Sequence, residues 1–410
     1  MAGSDPLYAI KVKSLWQQFW KEGFSFWMIC GYLFFEYVRP QSIYNSIDIL
    51  PWTFLFIVLS FVGLAFDKNR KWVSDPVNKW MIIFLIVIVI SSINAYWPAI
   101  SFERLEFIYT WIIIYFLIIN IVNTPSRFYI FFLLFCFASF KLSLHGAHVW
   151  VSRGFGFAGW GITGPPGFFQ NSGELSIQML VFFPLGFYLY QSLKDRVRVW
   201  EKIILILFFV TPVMTILGAS SRGAQIALLV QIAVMFYRKI FKVKTLAFVA
   251  ILIYLGMTFL PQEQKDRFTT IGDDQTSQQR LLYWENGIEM IKDHPYLGVG
   301  YWNFIPYYES NYRDDMLYRN AELPHNIFIQ IGTDAGLIGL SIYLVLMARF
   351  FRNRKSYSDP ISNSIYKGLY VGFIGFVVAG QFVTVGYYPF MWIGLALLVS
   401  LQNSFRPRNT

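Results

Sequence analysis

The chain has 410 residues, of which 56% are hydrophobic, 20% aromatic and only 14% charged, and its mean hydropathy is +0.46. Soluble domains carry about 25% charged residues, so this composition excludes an ordinary soluble domain and indicates an integral membrane protein. The net charge of +10 does not indicate nucleic acid, because the basic residues lie in short clusters between apolar runs. We expect membrane lipids with anionic headgroups to be the partner of these clusters.

Apolar runs of the length that crosses a bilayer recur along the whole chain. They predict an all-α, polytopic membrane protein with about twelve transmembrane helices and one large external loop that contains short helices. The predicted spans are 24–38, 52–66, 80–97, 105–122, 128–145, 175–190, 203–218, 223–237, 245–260, 326–350, 365–382 and 390–401. Three regions follow, namely N-terminal transmembrane helices at 1–260, the large loop at 261–325 and C-terminal transmembrane helices at 326–410.

Lysine and arginine concentrate in alternate connections between the predicted spans. Basic residues of a membrane protein are retained on the cytoplasmic side, so this alternation predicts that both termini are cytoplasmic and that the large loop is external. Cys30 and Cys136 lie inside apolar runs, which favours small buried hydrophobes over a disulfide or metal pair. No cleavable signal peptide is expected, because the N-terminus is polar and the first apolar run lacks a small-residue cleavage site.

A polar stretch from Thr276 to Leu340 interrupts these apolar runs. Thr276, with Gln279 three residues later, predicts the start of a short amphipathic helix that ends before Pro295. Arg280 lies in its first turn, where a cation opposes the helix dipole, so a functional placement is one explanation. The apolar face of this helix is predicted to hold Leu281, Trp284, Ile288 and Ile291.

The next apolar helix is preceded by Pro324 and His325. Proline favours the first turn of a helix, so we expect His325 at or near the N-terminus of that helix, facing the aqueous edge. A positive helix end tends to keep such a histidine neutral. The alternative is an ordinary polar side chain that satisfies a helix end.

Other polar residues predicted to be external can each be interpreted in two ways. The connection 146–173, which contains Arg153, Gln170 and, just beyond it, Glu174, is either a glycine-rich surface loop or the lining of a polar cavity. Arg222 follows a very short link between two spans, where an arginine either reaches the headgroups or faces a water-filled cavity. Lys141 allows the same two readings.

The segments SSRGA, RLLYWENGIEMIKDHPYLGVGYWNF and PHNIFIQIGTDAGLIGL follow one another in the second half of the chain. Together they resemble the shared domain of the bacterial O-antigen ligase and O-antigen polymerase superfamily, over about residues 203–345. The segment FEYVRPQSI around Arg39 is similar to a subgroup of O-glycosylation ligases.

This resemblance implies a membrane glycosyltransferase with a periplasmic active site in the bacterial inner membrane. Such an enzyme transfers a glycan from an undecaprenyl-pyrophosphate carrier to an acceptor hydroxyl, with inversion and without a metal or other cofactor. The acceptor is the lipid A core in ligases, another carrier-linked glycan in polymerases, and a protein in some relatives. We expect the ligase type, and the other two acceptors remain open.

The family's essential arginines correspond to Arg222 and Arg280, and its histidine corresponds to His325. Guanidinium groups suit a pyrophosphate leaving group, and a neutral imidazole can take the proton of the incoming hydroxyl. We expect the substrate to contact further residues, namely Lys141, Arg153, Gln170, Glu174, Trp284 and Asp334. Glu174 and Asp334 would be the next candidates for the base if His325 were not the base.

Two other classes of protein remain open. About twelve spans is also a common size for a secondary transporter, although the polar residues here cluster on one side and no internal repeat is evident. A structural membrane subunit of a glycan-export complex is the third possibility. Release of undecaprenyl pyrophosphate by the purified protein would separate the enzyme from both.

Overall fold

The computed structural model describes residues 10–67, 70, 72–156, 161–237, 274–352, 357 and 359–405. Within these ranges the protein is built from α-helices and short 3₁₀ turns, with no strand. The helices are α1 (Val12–Lys21), α2 (Phe24–Tyr37), α3 (Pro40–Ile43), α4 (Trp52–Phe66), α5 (Pro76–Ile93), α6 (Pro98–Arg104), α7 (Glu106–Ile121), α8 (Pro125–Ser152), α9 (Ser172–Leu193), α10 (Val199–Gly218), α11 (Arg222–Met235), α12 (Gln275–Asp293), α13 (Phe304–Asn311), α14 (Ile327–Arg352), α15 (Pro360–Ala379) and α16 (Pro389–Ser404).

The predicted all-helical class is confirmed for the described residues, but the count of about twelve spans is not confirmed. Helices occupy eleven of the twelve predicted apolar segments, and the ninth, at 245–260, lies outside the described residues. Seven helical segments in the described ranges are long and apolar enough to cross a bilayer, and one of them, Pro98–Ile121, combines α6 and α7. Two shorter apolar helices, α4 and α11, accompany them.

The bundle is held together by helices with apolar residues on most of their faces. The most extensive packing joins α9 to α15 and to α10, while α8 packs on α10 and α11 packs on α15. Helix α16 is buried along almost its whole length and contacts α7 and α15. A helix that is hydrophobic all round is expected in the middle of such a bundle.

Helix α14 is interrupted at Gly336, whose φ of 64° lies in the left-handed region. The amide of Leu337, freed by the break, donates to the carbonyl of Pro295 at 2.7 Å. One turn earlier, the carbonyl of Thr333 accepts from the Val299 amide at 2.8 Å. Glycine is required at 336 because a Cβ there would clash with the backbone of Tyr296. The segment 295–299 is thereby fixed against α14, and α12, which leads into it, also packs against α14.

Candidate active site

Arg222 is the first residue of α11 and pairs with the start of α12. Its Nη1 lies 3.5 Å from Oδ2 of Asp274, and both side chains are about one-third exposed, at 36% and 29%. Asp274 is the N-cap of α12 and accepts the Ser277 amide at 3.0 Å. The prediction that Thr276 starts this helix is therefore wrong by two residues, because the aspartate supplies the cap. Two helix N-termini meet at this ion pair.

Arg280 lies on α12 and is half-buried. Its Nε is buried without a hydrogen-bond partner. The Arg280 side chain forms no ion pair with any residue of the described ranges. Burial lowers the pKa of Arg280, the charge of Glu322 opposes that change, and the charge of Arg222 adds to it. A guanidinium stays protonated at neutral pH, so this site holds a half-buried positive charge whose Nε lacks a hydrogen-bond partner among the described residues.

His325 is held at the mouth of α14 in an unusual conformation. Its φ of 52° is left-handed, and its amide donates to Thr384 Oγ1 at 2.8 Å. Its Nε2 lies 3.1 Å from Oε2 of Glu322. The next residue, Asn326, caps α14 by accepting the amides of Phe328 and Ile329. The predicted place of His325 near a helix N-terminus is confirmed, and residues held in left-handed conformations often mark functional sites.

Trp284 connects the arginine helix to the histidine. Its Nε1 donates to the carbonyl of Pro324 at 2.8 Å, and this carbonyl directly precedes His325. Arg280 and Trp284 are four residues apart on α12 and therefore lie on the same face of the helix. That face brings Arg280 to the side of the molecule where His325 is held. Trp284 thus has a positioning role visible in the structure, while contact with substrate stays a prediction.

Sequence reasoning missed the connection between α15 and α16. Thr384 fixes the backbone of His325, and the Gly380 carbonyl accepts the Ile327 amide at 2.8 Å. Phe382 lies against Trp284 on one side and fills the space beside Gly223 on the other, where a Cβ would lie 2.7 Å from the Phe382 side chain. The available signal was a short segment bounded by Gly380 and Gly386 between two apolar helices, but nothing in the sequence paired it with His325.

Three predicted substrate-binding residues have local partners elsewhere. Lys141 Nζ donates to the carbonyl of Val38 at 3.1 Å. Both carboxylate oxygens of Glu174 accept from Asn171 at 3.1 Å and so cap α9. Asp334 lies seven residues into α14, about 10 Å along its axis, and accepts the Trp302 amide at 3.1 Å. In this arrangement Glu174 and Asp334 serve helix ends and the segment beside α14.

Two more predicted residues lie on the surface of the connection before α9. Arg153 is exposed, and its Nη1 lies 3.4 Å from the carbonyl of Gly161. Gly161 in turn packs against the Ala219 carbonyl, three residues before Arg222. Gln170 is exposed. The connection is therefore adjacent to the short link that carries Arg222.

The residues brought together are Arg222, Arg280, Glu322 and His325, hereafter the Arg–His cluster. It contains two guanidinium groups for an anion and one imidazole beside them. No group of three or more metal-ligating side chains occurs in the part of the chain that the structure describes. The apolar helices indicate a membrane protein, and the cluster places two arginine side chains near one histidine.

A family model matches the same region of the chain. Residues 203–344 match the family model described as O-antigen ligase. The resemblance to the O-antigen ligase and polymerase superfamily is thus confirmed, and the matched region carries Arg222, Arg280 and His325. The match indicates glycan transfer of the O-antigen ligase kind at the level of the family. A search of curated proteins finds no match to this chain.

Proposed function

We propose that this protein transfers a glycan from an undecaprenyl-pyrophosphate carrier to an acceptor hydroxyl on the periplasmic side of the bacterial inner membrane. The observation that carries the proposal is Arg280, a half-buried guanidinium whose Nε has no partner among the described residues, near Arg222 and near the backbone that holds His325. Two arginines with one general base are the groups that such a transfer needs.

The proposed reaction is a single displacement with inversion. The acceptor oxygen attacks the anomeric carbon while His325 takes the hydroxyl proton. The bond from that carbon to the pyrophosphate oxygen breaks, and its electron pair leaves with undecaprenyl pyrophosphate. Arg222 and Arg280 stabilise the negative charge that develops on the leaving group, because guanidinium donors form bidentate, charge-assisted hydrogen bonds to phosphate oxygens.

The lipid A core is the acceptor that we propose first, as in the O-antigen ligases. A second carrier-linked glycan would make the protein a polymerase, and a protein side chain would make it an O-oligosaccharyltransferase. Purified protein should be given labelled lipid-linked glycan with each acceptor in turn. The growing product identifies the acceptor, and failure to release undecaprenyl pyrophosphate with all three would refute the proposed function.

A secondary transporter is the second candidate, and one observation favours it. Transporters often contain broken helices at their binding sites, and α14 is broken at Gly336 beside the buried Asp334. The chain's own Pro295 and Trp302 occupy this break by hydrogen bonding Leu337 and Asp334. Uptake of free glycan into liposomes without transfer to an acceptor would support the transporter.

The proposed orientation places both termini in the cytoplasm. Cysteine substitution at Arg153 should give labelling by an impermeant thiol reagent in intact cells, whereas substitution at Lys194 should require membrane disruption. The native Cys30 and Cys136 are buried, so background labelling should be low. The reverse pattern would place the Arg–His cluster on the cytoplasmic side.

A further inference from the structure

Glu322 is held in place although its side chain is largely exposed. Its amide donates to the Tyr283 hydroxyl at 2.8 Å, and the preceding amide, of Ala321, donates to Glu309 Oε1 at 3.0 Å. The carboxylate then reaches Nε2 of His325 at 3.1 Å, with 69% of the Glu322 side chain exposed. An exposed glutamate would ordinarily sample many rotamers, so two backbone anchors beside it favour a fixed contact with His325.

The contact decides which imidazole nitrogen is free. A carboxylate can only accept a hydrogen bond, so the Nε2 of His325 carries the hydrogen in this pair. In a neutral imidazole the other nitrogen is then an acceptor, and for His325 that nitrogen is Nδ1. The hydrogen bond from His325 lowers the pKa of Glu322, so this carboxylate is ionised at neutral pH.

Other charged groups face the same place from neighbouring elements. Arg280 approaches Glu322 from α12, Arg222 and Asp274 act on Arg280 from the ion pair at the helix starts, and Tyr318 approaches from the loop before Glu322. Glu322 is therefore a carboxylate that contacts the imidazole of His325 and also interacts with the charge of Arg280. Thr384 also contacts His325, accepts a hydrogen bond from its backbone amide and carries no charge.

We propose that Glu322 is the positioning residue of His325 in glycan transfer. Glu322 fixes Nε2–H, so that Nδ1 takes the proton of the acceptor hydroxyl, and its negative charge stabilises the imidazolium formed as the glycosidic oxygen bond is made. The pyrophosphate leaves with the electron pair of the bond that breaks. This inference rests on the proposed function, in which His325 is the base.

The pairing itself can be tested without any transfer assay. Diethyl pyrocarbonate modifies neutral imidazole, so the pH midpoint of modification at His325, read from peptide mass spectra, reports its charge. Glu322→Gln is isosteric and exposed, so the fold should persist while the negative charge is lost. We expect the midpoint for His325 to fall by about half a pH unit, because the carboxylate 3.1 Å from Nε2 favours the charged imidazole.

The protein offers matched controls for this measurement. His294, one of four histidines in the sequence, is bonded to the Tyr307 hydroxyl, so its midpoint should stay unchanged in the same sample. Glu289→Gln removes an exposed carboxylate from α12, which also carries Arg280, and should leave the His325 midpoint unchanged. Glu322→Ala should move the midpoint in the same direction as Glu322→Gln. An unmoved midpoint in both Glu322 variants would overturn the pairing.

Kinetics then separate this inference from the proposed function. The acid limb of the pH profile of kcat/KM should move to lower pH in Glu322→Gln, by the same amount as the midpoint of His325 modification. If His325→Gln loses transfer but Glu322→Gln keeps the acid limb at the wild-type pH, Glu322 has no positioning role, while His325 is still supported as the base. If His325→Gln transfers at the wild-type rate, the base assignment fails, and only the measured pairing remains.

Discussion

Two sites that contain arginine, one around Arg349 and one in the Arg–His cluster, show how an arginine that supports the fold differs from one available to a ligand. Arg349 near the end of α14 bonds Oδ2 of Asp75 at 2.9 Å and also contacts Gln402, and the Asp75 side chain is fully buried. In the Arg–His cluster, Arg222 and Asp274 are 3.5 Å apart and partly exposed. Arg280 has no ion pair among the described residues. The Nε atoms of Arg280 and Arg349 both lack a hydrogen-bond partner, so the ion pair with Asp75 is what distinguishes Arg349. Loss of a partner should therefore affect stability at Arg349, whereas loss of the cation should affect turnover at Arg280.

The largest expected effect is at His325. His325→Gln should lower the transfer rate by about 10²–10⁴-fold with carrier binding largely retained, because proton removal contributes only in the transition state. Steady-state kinetics and carrier binding on the same preparation measure this. His294→Gln is the matched control and should keep the wild-type rate. A structural histidine would instead show lost thermal stability with normal turnover of the folded fraction.

The buried pair should respond through stability instead. Asp75→Asn keeps the size of the side chain but leaves Arg349 without its carboxylate, which should cost about 3–5 kcal/mol of unfolding free energy. Thermal unfolding in detergent measures the loss. Turnover per folded molecule should remain near wild type. Normal stability of Asp75→Asn would show that the pair has no structural role and would remove the contrast between the two sites.

The arginines of the Arg–His cluster should be sensitive to the shape of the cation. Arg280→Lys keeps the charge but loses the planar pair of donors, so we expect a loss of about 10²–10³-fold in kcat, by analogy with a deleted oxyanion donor. Arg222→Lys should also lose most activity. Arg349→Lys is the control with the same substitution outside the cluster. Near-normal turnover in both Arg222→Lys and Arg280→Lys would reduce these residues to surface anchors.

Most of the helices and three residues of the Arg–His cluster were predictable from the sequence. The apolar runs predicted helices in the right places because hydrocarbon length and hydrophobicity are local properties, and the resemblance selected Arg222, Arg280 and His325. Glu322 and Thr384 were missed because their contacts with His325 depend on how distant segments meet. Glu174 and Asp334 were predicted as site residues from their polarity, but polarity alone does not distinguish a substrate contact from a helix cap or a backbone acceptor.

The smallest expected effect is the contribution of ionised Asp274, the N-cap of α12, to stability at different pH values. Burial raises the pKa of Asp274, but hydrogen bonds from Ser277 and the charge of Arg222 outweigh it and leave the pKa below its ordinary value. A depressed pKa means that the ionised Asp274 adds stability above the unfolded pKa of about 3.9. That stability is lost as the pH falls through the lower folded value.

Asp274→Asn preserves a good N-cap and removes only the charge, so its cost at pH 7 should be a few tenths of a kcal/mol, and in any case under about 1 kcal/mol. Its thermal midpoint should therefore fall less than that of the wild type between pH 7 and strongly acid pH. Equal acid losses in the two proteins would show that Asp274 makes no ionised contribution to the fold.

The most direct test of the account is release of undecaprenyl pyrophosphate from a glycan-loaded carrier by purified wild-type protein, Arg280→Lys and Arg349→Lys, in the presence of acceptor. We predict release coupled one-to-one to glycan on the acceptor for wild type and Arg349→Lys, and loss of most of it for Arg280→Lys at equal folded protein. Equal release by wild type and Arg280→Lys, or none by the folded wild type with any acceptor, would contradict the assignment of the Arg–His cluster as the site of glycan transfer.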